Sequence, residues 1–316
     1  MQFRTELKLS DSKIKIEHHD ALFFMGSCFA ENIAEKTKML LFNTCINPHG
    51  ILYNPKSIAV AIHDCCNQKK YIKDDLFFHD NWWNSWNHHS RYSNADATIC
   101  LEKINRDIYA AHRFLKQSKY LFITLGSAFV YKYSKTNKYV GNCHKVPNKE
   151  FTKVLLTIDA IINDLQTAIT ELRKLNPEIN IVFTVSPVRY IRDGMIENNL
   201  SKARLIEAVH QLCNMYVSCF YFPAYELIID DLRDYRFYKE DMIHPSDLAI
   251  NYVWEKFSKT YFSNQCLNIV REIEEIITAE NHRTRNEDSE SFQLFIKSIE
   301  EKKQRLKKNY PYISIN

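Results

Sequence analysis

The chain has 316 residues, 45% of them hydrophobic, so it can bury a full core as one large domain with additions or as two smaller domains. Its 42 basic and 38 acidic residues leave a formal net charge of +4, and the basic residues are spread along the chain. This spread argues against a nucleic-acid partner. The absence of any apolar stretch of roughly 18 residues argues against a membrane-spanning helix.

The cysteines and the start of the chain indicate a cellular compartment. Nine cysteines are an odd number in a long chain, and none forms a CxxC pair, which is typical of reduced thiols rather than of a disulfide framework. The first twenty residues alternate polar and apolar and contain no apolar segment of a signal peptide. The sequence therefore predicts a soluble, cytoplasmic protein with no membrane partner.

Short apolar runs separated by helical patterns predict the main fold. Runs at 21–25, 120–125, 180–185 and 218–222 indicate buried parallel strands, and 45–53 predicts one further strand and loop. Apolar residues repeat at helical spacing over 154–175, 203–217 and 249–257. Parallel neighbours need crossover helices, which cover both faces of the sheet, so the order predicts an α/β fold with a three-layer doubly wound parallel sheet.

Two regions break this alternation of strand and helix. Residues 70–100 are an aromatic insertion, too polar for a core strand and too rich in Trp and Phe for a solvated linker. The charged tail predicts helices with a sparse apolar stripe, which is typical of a helical appendage packed on the main domain or on a partner. We therefore predict a main domain over 1–262 and an appendage over 263–316.

The first apolar run ends in a glycine that leads directly into a helical pattern. Gly26 ends the run, so residues 27 and 28 fall at the N-terminus of the next helix, where free backbone N–H groups collect. Ligands bind at this carboxyl edge of an open parallel sheet, and a nucleophile placed there can share the N–H groups with a developing oxyanion. The arrangement favours acyl transfer.

The segment FMGSCFAENIAE resembles the signature of the GSCFA family, within the SGNH (GDSL-like) hydrolases. The resemblance implies a flavodoxin-like sheet and an esterase-type activity. In that superfamily the block reads Gly-Asp-Ser, so an ungapped register puts Cys28 at the nucleophile position and Ser27 at the aspartate position. A thiol at a helix N-terminus is expected to have a lowered pKa. Ser27 is the alternative nucleophile, and a tight turn with a buried cysteine is the non-catalytic alternative.

Asp241 and His244 lie three residues apart before an amphipathic helix, with Pro245 suited to its first turn. SGNH hydrolases carry Asp-x-x-His at this point. The resemblance implies that the carboxylate holds one imidazole nitrogen, while the other nitrogen faces the nucleophile as general base and later general acid. By itself an Asp-x-x-His spacing is equally typical of a solvated loop.

The same resemblance implies an oxyanion hole. Gly50 and Gly126 match the two glycine positions of the superfamily, although a simple turn glycine is the alternative for Gly50. Ala128 stands where the superfamily has an asparagine side chain as donor. Asn142, in another segment that is similar to the family, is the predicted substitute.

Five further residues are predicted to bind substrate. Arg189 and Arg192 follow the run at 180–185, and a guanidinium fork matches carboxylates; a salt-bridged loop that braces the site is the alternative. Trp86 and His89 in the insertion predict an aromatic wall for a sugar ring or an acyl chain. His144 lies beside the candidate donor Asn142 in sequence.

No metal or cofactor is predicted, because the adjacent pairs His88-His89 and Cys65-Cys66 do not fit a tetrahedral site. The resemblance implies an enzyme that cleaves ester bonds, with a small-molecule or carbohydrate acyl ester, such as an O-acetyl sugar, as its substrate. Two alternatives remain: an acyltransferase with the same site, and a non-catalytic binding module that has kept the fold.

Overall fold

The computed structural model describes residues 4–280 and 290–315. Within these residues, ten strands form one parallel and two antiparallel sheets. The strands are β1 Leu22–Gly26, β2 Thr44–Ile46, β3 Leu76–His79, β4 Trp82–Ser85, β5 Tyr120–Leu125, β6 Phe129–Tyr133, β7 Lys138–Val140, β8 Phe151–Leu155, β9 Asn180–Val185 and β10 Cys219–Tyr221. The helices are α1 Cys28–Met39, α2 Pro55–Cys66, α3 Ala97–Gln117, α4 Ile158–Leu175, α5 Met195–Met215, α6 Ala224–Glu226, α7 Asp247–Tyr261, α8 Asn264–Glu280 and α9 Glu290–Asn309.

The central sheet has five parallel strands in the order β10-β9-β5-β1-β2. Taken in chain order, these five strands are arranged 2-1-3-4-5, which is the flavodoxin-like order. The predicted α/β fold is therefore confirmed. The strand order reverses between β1 and β5, and ligands of open α/β sheets bind in the crevice at the carboxyl ends of such a pair.

Two apolar clusters cover the two faces of this sheet. Side chains alternate along β1, so Leu22 and Phe24 pack into one cluster with α1, α7 and α8. Phe23 and Met25 face the opposite cluster, which contains the buried faces of α2, α4 and α5. The three layers follow directly from this alternation, because every strand of the centre is buried on both sides.

The aromatic insertion forms the β3–β4 hairpin, and a second antiparallel sheet, β7-β6-β8, was not predicted. The prediction that residues 154 and 155 belong to the next helix is wrong, since Val154 and Leu155 pair with β6. The Thr157 side chain accepts a hydrogen bond from the Ala160 N–H group, and this cap sets the start of α4. The helical pattern predicted over 203–217 also extends too far, because α5 ends at Met215 and Val217 is 96% exposed.

The C-terminal helices join the apolar cluster that covers one face of the main sheet. Ile273 of α8 and Ile299 and Leu306 of α9 are buried in the same cluster as Phe24 of β1. The domain boundary at residue 262 stays a prediction. None of the helices in the described ranges is long and apolar enough to cross a membrane. All nine cysteines are free thiols.

Candidate active site

The turn after β1 places two candidate nucleophiles above the edge of the sheet. Gly26 has a φ of +134°, and a Cβ atom there would lie 2.2 Å from the Thr124 carbonyl oxygen of β5, so only glycine fits. The Gly26 N–H group donates to Asn47 Oδ1 at 2.8 Å, and the Ser27 N–H group donates to the Thr124 carbonyl at 3.1 Å. These contacts fix Ser27 as the N-cap of α1 and Cys28 as its first residue.

The two candidates differ in exposure. Ser27 is fully buried, and its hydroxyl has no hydrogen-bond partner in the described part of the chain. Cys28 is partly exposed. Burial raises the pKa of the Cys28 thiol and Glu31 adds to the rise, whereas the backbone N–H groups of Phe29 and Cys28 lower it. The predicted lowering of this pKa is therefore wrong, because desolvation outweighs the helix terminus.

Lys202, for which sequence analysis predicted no role, is buried at the carboxyl edge of the sheet that also carries Cys28. It is 1% exposed, and its ammonium donates to the Gly126 and Ser186 carbonyl oxygens, both at 2.6 Å. Burial lowers its pKa to about 7, and the Cys28 thiolate acts in the opposite direction. One signal was available: Lys202 lies at helical spacing with the buried residues of α5, among them Asn198, Leu205, Val209 and Leu212.

Two tyrosines lie beside the thiol and the lysine. The rings of Tyr53 and Tyr190 meet edge to face at 5.5 Å, and a Cβ atom on Gly126 would lie 2.8 Å from the Tyr190 hydroxyl. Burial raises the pKa of both phenols, and the Cys28 thiolate raises each further, which places all three groups within electrostatic range. Gly126 thus allows the tyrosines to approach the site.

The Asp241 and His244 side chains form the predicted contact. His244 Nδ1 lies 2.6 Å from Asp241 Oδ2, and the other carboxylate oxygen accepts the Ile243 and His244 N–H groups, both at 2.9 Å. The His244 backbone N–H group is the main cause that lowers the pKa of Asp241 to about 2. The carboxylate therefore fixes the imidazole through Nδ1, and Nε2 is left for chemistry.

This pair lies on an exposed loop, with side chains 44% and 46% exposed. The Arg189 N–H group donates to the Ile243 carbonyl at 3.4 Å, which ties the loop to the segment after β9 at the carboxyl edge of the sheet. In the described residues, His244 makes no hydrogen bond to Cys28 or to Ser27. Catalytic hydrogen bonds of ligand-free enzymes are often long and tighten only with substrate.

Neither predicted glycine donor is free. The Gly50 N–H group donates to the Asn47 carbonyl at 2.7 Å, and the Gly126 N–H group donates to the Tyr53 carbonyl at 2.7 Å. Gly50 has a φ of +79°, and a Cβ atom there would lie 2.2 Å from the His89 Cβ, so its role is that of a turn glycine. The prediction that both glycines donate to an oxyanion needs this correction.

A cleft of about 350 Å³ opens beside the two tyrosines. Tyr53, His89, Asn142, Tyr190 and Arg192 are among its lining residues. Asn142 Oδ1 accepts the His144 N–H group at 2.8 Å, so its amide nitrogen is the donor that remains. The structure thus brings together three of the predicted side chains, His89, Asn142 and Arg192.

Three other predicted substrate residues lie outside this cleft. Trp86 stacks on Phe77 with ring centroids 3.6 Å apart, as part of the packing between the two small sheets. His144 is buried, with Nε2 2.8 Å from the Ser85 carbonyl oxygen, and lines a separate pocket of about 270 Å³. Arg189 stacks over Tyr238 at 4.2 Å, so it braces the loop of His244.

Comparison with known protein families identifies the chain. Residues 21–257 match the family described as GSCFA family. The chain belongs to the GSCFA family. Residues 273–316 match the GSCFA domain protein, C-terminal domain, so the C-terminal helices are also part of this family's architecture.

Several solved structures resemble the GSCFA chain distantly, and no curated protein matches it. One is described as a putative platelet activating factor from Streptococcus pneumonia, with 13% identity, a TM-score of 0.37, and coverage of 76% of this chain and 84% of that one. Another is a carbohydrate esterase family 3 protein from Talaromyces cellulolyticus, with 7% identity, a TM-score of 0.35, and coverage of 81% and 99%. At these TM-scores neither likeness transfers an activity.

Proposed function

We propose that the protein is an SGNH-type hydrolase of ester bonds, in which Cys28 is the nucleophile and Asp241 and His244 are its acid-base pair. One observation carries the proposal. A partly exposed thiol stands at the N-terminus of α1, on the strand pair where the sheet order reverses, and a loop tied to the same edge holds an Asp–His pair at 2.6 Å.

The proposed reaction begins when Cys28 gives its thiol proton to a base and the sulfur attacks the carbonyl carbon of an ester. The C–S bond forms as the C–O bond breaks, and the His244 imidazolium gives its Nε2 proton to the leaving alcohol oxygen. Water then attacks the thioester, and Nε2 takes a proton from this water. The products are the alcohol and the carboxylic acid, and the thiolate is released.

The oxyanion of both steps needs donors other than the two glycines. The Cys28 N–H group at the start of α1 is one candidate, since helix N-termini favour negative charge. The Asn142 amide nitrogen is the proposed second donor, because it lines the cleft while its oxygen is held by His144. Removing one such donor is expected to lower kcat about 100- to 1,000-fold.

The cleft supports a small polar acyl ester as the substrate class, and we propose an O-acetylated carbohydrate. Tyrosine and histidine supply flat rings with polar tips, which suit a sugar ring. Arg192 supplies an exposed cation at the rim. We propose the carbohydrate by analogy with the superfamily that the sequence resembles, and the fold alone does not specify it.

The test compares Cys28→Ala, Ser27→Ala and His244→Ala on p-nitrophenyl acetate and a panel of acetylated sugars. We expect Cys28→Ala and His244→Ala to lose activity by at least about 100-fold and Ser27→Ala to keep most of it. Cys66→Ala, at the far end of α2, is the matched control and should stay active and sensitive to iodoacetamide. Full turnover by protein alkylated at Cys28 would refute the proposal.

A non-catalytic binding module is the second candidate, because both predicted glycine N–H groups are engaged and no hydrogen bond joins His244 to Cys28 or Ser27 in residues 4–280 and 290–315. A binding module would bind acetylated sugars in calorimetry and release no acetate from any of them. An acyltransferase is distinguished by its products, since it passes the acyl group to a second sugar instead of to water.

A further inference from the structure

The register of the central sheet places Lys202 next to the turn that carries Cys28. Gly26 of β1 is paired with Thr124 of β5, so Cys28 and Gly126 each lie two residues beyond a paired position on neighbouring strands. Adjacent strands are about 4.8 Å apart. The Lys202 ammonium is bonded to the Gly126 carbonyl at 2.6 Å. The lysine nitrogen is therefore held at the same edge as the thiol.

Two of the three hydrogens of that ammonium have fixed partners. The Gly126 carbonyl follows β5 and the Ser186 carbonyl follows β9, and each accepts from Nζ at 2.6 Å. A lysine nitrogen has one more tetrahedral position, which carries a hydrogen in the ammonium form and a lone pair in the amine form. This third position is where a proton can be exchanged.

Among the groups around Lys202, Cys28 is the one suited to exchange a proton with it. The Tyr190 ring, from the loop before α5, lies 5.3 Å from Nζ. Cys28 is the ionisable group in the described structure whose charge favours the ammonium form, and in turn Lys202 favours the thiolate. Glu31, on α1 itself, and Tyr53, from the loop before α2, also lie within electrostatic range of the thiol, and Glu31 disfavours the thiolate. No carboxylate bonds to Nζ in the described residues.

We propose that Lys202 is the proton acceptor of the Cys28 thiol. The Sγ proton passes to the lone pair of the Lys202 amine, which leaves a thiolate beside an ammonium, with no change in total charge. The sulfur electron pair then attacks the ester carbon as the ester C–O bond breaks. The His244 imidazolium gives a proton to the leaving alcohol and regains one from the attacking water. The proton returns to sulfur when the thiolate is released.

Two pKa shifts define the roles of Lys202 and Cys28 near neutral pH. Burial lowers the pKa of Lys202 to about 7, so an amine is available there, and burial raises the pKa of Cys28, so the thiol needs a base. The two groups share protons and titrate as a pair. The inference rests on the proposed function only in taking Cys28 as the nucleophile.

The test measures the rate of Cys28 alkylation by iodoacetamide against pH, by peptide mass spectrometry of the full chain. This readout needs no ester, so failure of the esterase proposal would leave it valid. We expect Lys202→Gln, whose amide can still donate to a carbonyl, to react about tenfold more slowly at pH 7.5 or worse. Lys174→Gln, at an exposed lysine of α4, is the matched control. His244→Ala should keep the wild-type alkylation profile.

A second measurement covers the case in which Lys202→Gln does not fold. Lysine labelled with ¹³C at Cε gives the titration of Lys202 by NMR in the wild type and in Cys28→Ser. We expect a midpoint near pH 7 in both proteins, because burial lowers the pKa of Lys202 and the Cys28 thiol is still uncharged at that pH. A midpoint near the ordinary 10.5, or an unchanged alkylation profile in a folded Lys202→Gln, would overturn the proposal.

Discussion

The two halves of the proposed site differ in burial, and this difference separates their chemistry. Cys28 and Lys202 lie at the end of the central sheet, where desolvation is the largest influence on both pKa values. Asp241 and His244 lie on a loop about half exposed to solvent, where backbone N–H groups dominate the pKa of the carboxyl. The buried half therefore sets the protonation state of the nucleophile, and the exposed half is free to adjust to substrate.

The largest effect is expected from a substitution in the turn after β1, which carries the nucleophile of the buried half. Gly26→Ala would put a Cβ atom 2.2 Å from the Thr124 carbonyl, at a φ of +134° that alanine rarely adopts. We expect a loss of more than about 4 kcal/mol in the free energy of unfolding, measured by urea denaturation. Gly141→Ala is the control, because its Cβ would lie 3.2 Å from a flexible Leu52 methyl group and 3.4 Å or more from the nearest backbone atoms. A folded, stable Gly26→Ala protein would show that the turn is not held as described.

A substitution in the exposed half should lower activity and leave folding intact. Asp241→Asn removes the carboxylate that fixes His244 Nδ1 and allows the wrong tautomer. We expect kcat on p-nitrophenyl acetate to fall about 100- to 10,000-fold with the melting temperature unchanged. Glu240→Gln neutralises the neighbouring exposed carboxylate and should have no effect. Equal activity of Asp241→Asn and the wild type would show that the Asp241–His244 pair takes no part in the mechanism.

The stability contribution of Lys202 should depend on pH. Its pKa is about 7 in the folded protein against an ordinary value of 10.5, so folding carries the cost of a buried charge below pH 7 and loses that cost between pH 7 and 10.5. The free energy of unfolding of Lys202→Met, taken relative to that of the wild type, should therefore be roughly 3 to 5 kcal/mol higher at pH 6 than at pH 10. Urea midpoints at both pH values measure this difference. A difference independent of pH would contradict the lowered pKa.

The smallest effect is expected at the rim of the cleft. Arg192 is exposed, and its guanidinium donates to Asn148 Oδ1 at 3.3 Å, so Arg192→Ala should leave the fold intact. For an anionic or hydroxylated substrate we expect KM to rise about 3- to 10-fold with kcat unchanged, since the contact is equal in ground and transition states. Arg106→Ala, on the outer face of α3, is the control. A loss of kcat instead would give Arg192 a role in the chemistry.

The central sheet could be predicted because its strands are buried on both faces and read as unbroken apolar runs. The sheet β7-β6-β8 could not, since its strands are short and their apolar and aromatic residues are interrupted by the half-buried Lys132 and the exposed Lys153. Val154 and Leu155 were assigned to the next helix because two apolar residues before a helical repeat match either structure.

In the site, the sequence located what depends on local spacing. The turn at Gly26 and the Asp241–His244 contact follow from short motifs, whereas the cleft depends on how distant loops meet. Lys202 was missed because a lysine in an apolar helix stripe is ordinarily counted as a polar interruption, and only the carbonyls at the ends of β5 and β9 show its purpose. His144 was misplaced because sequence does not show which way the loop after β7 turns.

The central claim, that Cys28 carries the acyl group, is tested most directly by trapping the intermediate. His244→Ala protein mixed with p-nitrophenyl acetate, quenched in acid and digested, should yield the peptide of residue 28 with one acetyl group that neutral hydroxylamine removes, because a thioester is labile to it. Cys28→Ala in the same background should yield none. An acetyl group on Ser27, or no acetylated peptide in a protein that still turns over ester, would contradict the account.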